Sequence, residues 1–121
     1  MFRYWRIGSA RQVARATTVD SFVKTVALPR VRLVKIDCEG AEGAIVHGAK
    51  GALRDHLFEF VAVEYHPMII GRARCEQTHR ELIEAGYALT KVRGRCVYHV
   101  PGRETELSPA GELRLNAGWE D

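Results

Sequence analysis

The sequence predicts a layered α/β domain in which parallel strands are followed by an antiparallel hairpin. Two observations carry this prediction: a strand–helix–strand pattern over residues 31–65, and two short strand patterns that meet at residues 93–95. A chain of 121 residues is long enough for one such domain. Its 46% hydrophobic and 27% charged residues are ordinary for a globular protein, so disordered and fibrous classes are not favoured.

Charge and cysteine content limit the partners and the compartment. A formal net charge of +3 is too small to indicate a nucleic-acid partner. No apolar run approaches the ~18 residues of a membrane span, and no secretory signal follows Met1, so we expect no membrane partner either. Three cysteines without a CxxC pair are typical of a reducing compartment, and we expect a cytoplasmic protein.

The distribution of charge divides the chain into three parts. Residues 1–16 form a basic arm with arginines and no acid, a composition that also suits an organelle-targeting peptide. Residues 17–101 carry the regular patterns of the α/β domain. Residues 102–121 are acidic and contain proline and glycine, which predicts an irregular tail.

The first helix is predicted to start at a capping residue and to have one apolar side. The candidate caps, which can accept first-turn amide hydrogens, are Thr17, Thr18 and Asp20. The predicted apolar side consists of Phe22, Val23 and Val26.

The βαβ unit follows this helix. Residues 31–37 are an apolar, β-branched run that is typical of a strand buried on both faces, and residues 59–65 form a second such run. Between them, a stripe of alanine and glycine predicts one helix over residues 41–55. Strands joined by a covering helix of this length are parallel.

The remaining elements complete the order α-β-α-β-α-β-β. A helical stripe covers residues 73–86, with Gly86 as the C-terminal stop. Two strands over residues 88–92 and 96–100 are predicted to pair through a tight turn.

Acidic residues follow the ends of both parallel strands, where parallel sheets bind their ligands. Asp37 ends the first strand and is followed by Glu39 and Glu42; Glu64 ends the second and is followed by His66. Neighbouring strands lie ~4.8 Å apart, so these side chains are expected to face one crevice. A proton, a cation or the N-terminal end of helix 41–55 would offset their repulsion.

Several of these residues also have purely structural interpretations. Asp37 and Glu39 can cap helix 41–55, and Glu42 suits the first turn of that helix. His66 can be a plain loop histidine in the extended conformation that Pro67 requires. Cys38 lies between two acids that disfavour its thiolate, which indicates a small buried side chain.

Residues 34–42, Val-Lys-Ile-Asp-Cys-Glu-Gly-Ala-Glu, resemble the K-I-D-x-E-G-A-E signature of the FkbM family of S-adenosylmethionine-dependent methyltransferases. Residues 18–22 resemble the upstream T-L-D helix start of that family, and residues 46–49 resemble its V-L-x-G-A segment. Residues 61–66 are similar to the family's following strand, which ends in Glu. The resemblance covers about residues 17–100.

This resemblance implies a Rossmann-like methyltransferase sandwich, a seven-stranded sheet ending in an antiparallel hairpin. It also implies an enzyme that uses S-adenosylmethionine to methylate hydroxyl oxygens of sugars, polyketides or other metabolites. The fold begins with a strand and a glycine-rich cofactor turn, whereas Gly8 stands alone and no G-x-G precedes Thr17. We therefore expect a partial sandwich, the C-terminal half, whose cofactor-binding residues the sequence does not identify and which is incomplete as an isolated enzyme.

The resemblance also suggests roles for the acidic rim. Asp37 is the expected general base or contact near the methyl group, and Glu64 and His66 are expected to orient a small-molecule acceptor. A divalent metal on Asp37, Glu39 and Glu64 is an alternative way to bind the acceptor oxygen.

Three functional hypotheses remain open at this point. The first is a methyltransferase completed by a second chain or by a homodimer that covers the open sheet edge at residues 31–37. The second is a non-catalytic remnant that serves as a binding or interaction module. The third is a metal-dependent enzyme that uses the carboxylate rim alone.

Overall fold

The computed structural model describes residues 13–92 and 95–102, and these form a mixed α/β fold. The elements in chain order are α1 (Val19–Thr25), β1 (Val31–Ile36), α2 (Glu42–His47), α3 (Lys50–Arg54), β2 (Phe58–Val63), α4 (Pro67–Ile70), α5 (Arg72–Glu84), β3 (Ala88–Val92) and β4 (Arg95–His99). The basic arm up to residue 12, the hairpin turn at 93–94 and the acidic tail from residue 103 lie outside the described residues. No helix in the described ranges is long and apolar enough to cross a membrane.

The four strands form one sheet in the order β1-β2-β4-β3. β1 and β2 are parallel, with Val31 opposite Phe58 and Ile36 opposite Val63. β4 is antiparallel to both β2 and β3. The predicted α/β class, parallel pair and antiparallel hairpin are thus confirmed, and the sheet is consistent with a partial Rossmann-like fold. Within the described residues β1 lies at the edge of this sheet, so a partner along it stays a prediction. The prediction that this strand is buried on both faces is wrong, because Leu33 and Lys35 are exposed.

The core lies between the sheet and the helices. By register, Val61 of β2 is opposite Val34 of β1 and Tyr98 of β4, so the three side chains share a face. Val61 and Tyr98 belong to a buried cluster that also contains helix residues, and Val34 packs against it. The helix residues of this cluster are Val46, Ala49, Ala52, Leu53 and Leu82.

The continuous helix predicted over residues 41–55 is wrong, because the structure has two short helices there. α2 ends at His47, and α3 begins at Lys50 with Ala49 as its N-cap residue. The carboxylate of Asp20 accepts hydrogen bonds from the backbone amides of Gly51 and Ala52, each at 2.8 Å. Asp20 therefore caps the new N-terminus from α1, which compensates for the interrupted helical hydrogen bonds.

α1 begins after one of its three candidate capping residues. Thr18 is the N-cap, and its hydroxyl accepts from the amide of Ser21 at 3.1 Å. The predicted apolar side is only partly correct, because Phe22 is 52% exposed while Val23 packs against the core. Val19, one helical turn before Val23, also packs against the core, so the side of α1 that faces the core is an i, i+4 pair.

The Asp20 cap gives a stability prediction. Asp20→Ala should lower the free energy of unfolding by about 1–2 kcal/mol, because the amides of Gly51 and Ala52 lose their acceptor. Asp55→Ala is the matched control, since Asp55 is exposed at the other end of α3 and should change stability by less than about 0.5 kcal/mol. Urea unfolding of both variants measures the difference, and equal midpoints would contradict the capping role.

Candidate functional site

The carboxyl ends of β1 and β2 bring together side chains that lie far apart in sequence. The amide of Glu64 donates to the carbonyl of Ile36 at 3.0 Å and thus extends the parallel ladder past both strands. His66 follows as the N-cap residue of α4. Its Nε2 lies 3.7 Å from Asp37 Oδ1 and 3.7 Å from Glu39 Oε1. The structure therefore brings the side chains of Asp37, Glu39 and His66 together where the two strands end.

The turn after β1 has an unusual backbone conformation and lies beside this group of side chains. Glu39 has a φ of +50° and Gly40 a φ of +105°, both in the left-handed region. A Cβ at Gly40 would lie 2.8 Å from Cγ2 of Ile70, so the packing of α4 on this turn requires glycine. This conformation directs the amides of Cys38 and Gly40 to Oε1 of Glu42, at 3.0 and 3.1 Å.

Glu42 connects this turn to His66. Its side chain is fully buried at the start of α2, and its Oε1 lies 2.8 Å from His66 Nδ1. Burial raises the pKa of Glu42, but hydrogen bonds from backbone amides, including those of Gly40 and Cys38, and from His66 outweigh it and hold the pKa below its ordinary value. The hydrogen bond to Glu42 raises the pKa of His66 against a smaller opposing effect of burial, and the charges of Glu39, Glu42 and Asp37 add to the increase.

Glu64 differs from the other predicted site residues in its contacts. Its side chain is 38% exposed, and its Oε2 lies 3.5 Å from Nε of Arg95 on β4. Among the described residues, the group whose ligand-type atoms lie within 4.8 Å of one another consists of Asp37, Glu39 and His66. Two residues of the predicted metal set, Asp37 and Glu39, are thus together with His66 in place of Glu64. Both carboxylates are exposed, and exposed acidic groups are common without an ion, so we assign no metal here.

A comparison with known protein families shows the family of this chain. The family model described as the methyltransferase FkbM domain matches residues 4–89, well over half of the chain. The chain belongs to the FkbM methyltransferase family. No curated protein and no solved structure matches it significantly. The match includes both parallel strands, the turn at Gly40 and the Glu42–His66 pair, so the site lies within the FkbM domain.

The structure also tests the structural interpretations of the FkbM signature. α2 has Ala41 as its N-cap residue and no side-chain capping bond, so the expectation that Asp37 or Glu39 caps the helix is wrong. Glu42 does lie in the first turn, as predicted. Cys38 is exposed, not buried, because its backbone amide points to Glu42 while its side chain faces outward.

Glu42 is the rim carboxylate to which the sequence analysis assigned no catalytic or metal-binding role. A carboxylate at the first position of a helix suggests a favourable interaction with the helix N-terminus and nothing more. The additional signal was Gly40 two residues earlier, because a left-handed turn there can direct amides back to the side chain. The contact with His66 could not be found without the register of β1 and β2.

A separate groove lies at the opposite end of the sheet. It has a volume of about 900 Å³ and is lined by residues that precede the strands, among them Arg30 and Leu57. The carboxylate of Glu59 in this groove pairs with Arg30 and Arg32. We place the site at the strand carboxyl ends instead, because parallel sheets bind ligands there and because the convergent groups of the FkbM signature lie there.

Proposed function

We propose that this FkbM domain transfers a methyl group from S-adenosylmethionine to a hydroxyl oxygen of a small molecule. The observation that supports this proposal is the convergence of His66 Nε2 with the carboxylates of Asp37 and Glu39 at 3.7 Å. These groups can hold the acceptor hydroxyl in position and remove its proton, which is the assistance that O-methylation requires. The family match favours a methyltransferase over a non-catalytic module.

The charge of the rim fits the proposed cofactor. A sulfonium carries a positive charge, and the carboxylates of Asp37 and Glu39 are exposed at the strand ends where they can attract it. The cofactor supplies an electrophilic methyl group when bound. The chain's own residues therefore have two tasks, to align the acceptor oxygen and to remove its proton.

His66 is best placed for the second task. Its Nδ1 is engaged by Glu42, so Nε2 faces the rim and can accept the hydroxyl proton as the new C–O bond forms. Asp37, next to Nε2, can hold the acceptor hydroxyl and stabilise the imidazolium that results. We keep Glu64 as a residue that orients the acceptor from the end of β2, because its side chain is partly exposed there.

The surroundings of His66 limit the class of acceptor. Asp37, Glu39 and Glu64 disfavour a phosphate or carboxylate close to the reacting hydroxyl. On the α4 side, Met68 is 97% and Ile69 40% exposed, which offers apolar surface beside the polar rim. A neutral hydroxylated metabolite, such as a sugar or a polyketide with an apolar part, fits both features.

Calorimetric titration of the purified chain with S-adenosylmethionine and S-adenosylhomocysteine tests the proposal. We expect a micromolar Kd for both, which would mean that the cofactor site is more complete than the lack of a G-x-G before Thr17 suggests. Asp37→Asn should weaken binding of the cationic cofactor several-fold, since a charge interaction near the surface contributes up to about 1 kcal/mol. Asp55→Asn, which removes the same charge at the distant end of α3, should leave the Kd unchanged. No heat of binding at millimolar cofactor would contradict the proposal.

A further inference from the structure

We propose that Glu42 is a positioning residue that holds His66 in one tautomer, with a proton on Nδ1 and the lone pair of Nε2 directed to the rim. The inference about protonation rests on the hydrogen-bond geometry around an ionised Glu42, and its catalytic meaning rests on the proposed function. It adds a residue to the proposed site that the acidic rim by itself does not include.

The tautomer follows from the donors that surround Oε1 of Glu42. The amides of Cys38 and Gly40 are obligatory donors, so this oxygen accepts from both. An ionised carboxylate has no proton to give, and so His66 Nδ1, at 2.8 Å, must also donate. In a neutral imidazole with a proton on Nδ1, Nε2 is the acceptor.

The surroundings of Glu42 favour the ionised state that this argument needs. Its hydrogen bonds from the turn and from His66 hold its pKa below the ordinary value despite burial. Cys75 on α5 also lies within electrostatic range of Glu42, and burial, followed by the charge of Glu42, raises the pKa of its thiol, which keeps Cys75 neutral. Among the described residues, the carboxylates whose charge acts on His66 are those of Asp37, Glu39 and Glu42.

A second observation separates Glu42 from an ordinary structural carboxylate. Its other oxygen, Oε2, is buried and has no hydrogen-bond partner among the described residues. A buried acceptor without a partner costs about 1–3 kcal/mol, so a neutral or apolar residue would be the simpler choice for stability alone. A carboxylate at this position is explained if its charge acts on His66.

The backbone makes the arrangement rigid. Gly40 allows α4 to pack on the turn, and His66 is itself the N-cap residue of α4 with Pro67 following it. Both partners of the 2.8 Å hydrogen bond are thus fixed by main-chain structure. The imidazole is oriented before an acceptor binds, which lowers the entropic cost of alignment.

NMR of the ¹⁵N-labelled full chain, recorded above the pH at which His66 titrates, tests this proposal without cofactor or acceptor. In the wild type, His66 should show a protonated Nδ1 and an unprotonated Nε2. Glu42→Leu should remove this preference, because leucine offers no acceptor for a proton on Nδ1. Glu39→Leu is the matched control: it removes a carboxylate 3.7 Å from Nε2 but leaves Nδ1 with Glu42, so the tautomer should be unchanged.

Two results would overturn the proposal: a protonated Nε2 in the neutral wild-type ring, or the wild-type tautomer in Glu42→Leu. If Glu42→Leu does not fold, the wild-type spectrum still decides between the two tautomers. Failure of the cofactor titration would instead remove the proposed function while leaving the tautomer in place. In a chain active with an acceptor, Glu42→Leu should lower kcat and move the acidic limb of the pH profile to lower pH, with little change in KM.

Discussion

Replacing His66 by asparagine is expected to lower the rate of methyl transfer about 10²–10⁴-fold, the usual contribution of a general base. The amide of asparagine can still donate a hydrogen bond toward Glu42, so the loss reports proton transfer more than packing. Formation of S-adenosylhomocysteine with hydroxylated acceptors measures the rate. His47→Asn is the control, because His47 lies exposed at the other end of α2, 3.7 Å from Glu81. A His66→Asn variant with the wild-type rate would exclude His66 as the base.

The activity of the wild type is expected to increase with pH. His66 acts as a base only when neutral, and the hydrogen bond to Glu42 raises its pKa above the ordinary 6.5. Activity should therefore increase with pH through a midpoint above 6.5.

The effect of His66 on stability has the opposite dependence on pH, since a raised folded-state pKa favours folding at low pH. It is fully present below pH 6.5 and is lost as the pH rises through the raised value.

Phe60→Ala is expected to lower the free energy of unfolding by about 3–5 kcal/mol, the range for removing a buried aromatic ring. Phe60 is 0% exposed in β2, where the register places it between Leu33 of β1 and His99 of β4. The guanidinium of Arg32 also lies 5.0 Å from the ring centroid. The substitution leaves a cavity in the strand that leads to Glu64 and His66.

Phe22→Ala is the matched control for this effect. The two variants lose the same atoms, but Phe22 is 52% exposed on α1, so its removal should cost less than about 1 kcal/mol. Urea unfolding followed by circular dichroism measures both free energies. Equal losses in the two variants would show that the ring of Phe60 is not part of a close-packed core.

Local sequence patterns were sufficient for the approximate place of the candidate site and for the elements other than α4 and the division of helix 41–55 into α2 and α3. β-branched runs at residues 31–37 and 59–65 predict β1 and β2. The expected burial on both faces holds for β2 but not for β1, where Leu33 and Lys35 are exposed. A helical connection between them makes the strands parallel. That topology alone places Asp37 and His66 at the carboxyl ends of the two parallel strands, where the structure has them 3.7 Å apart.

The tertiary structure decided the contacts that depend on strand register and on turn conformation. Asp20 interrupts the predicted helix 41–55 by capping α3 from another helix, and no pattern within residues 41–55 contains that information. Glu42 meets His66 across 24 positions of sequence, through the left-handed turn at Gly40 and the pairing of β1 with β2. Periodicity reports which face of an element is buried, whereas the partner of a buried polar group is set by the relative positions of several elements. The sequence alone therefore determined the fold class and the end of the sheet that carries the acidic rim. Tertiary structure decided that the buried carboxylate of Glu42 lies against His66.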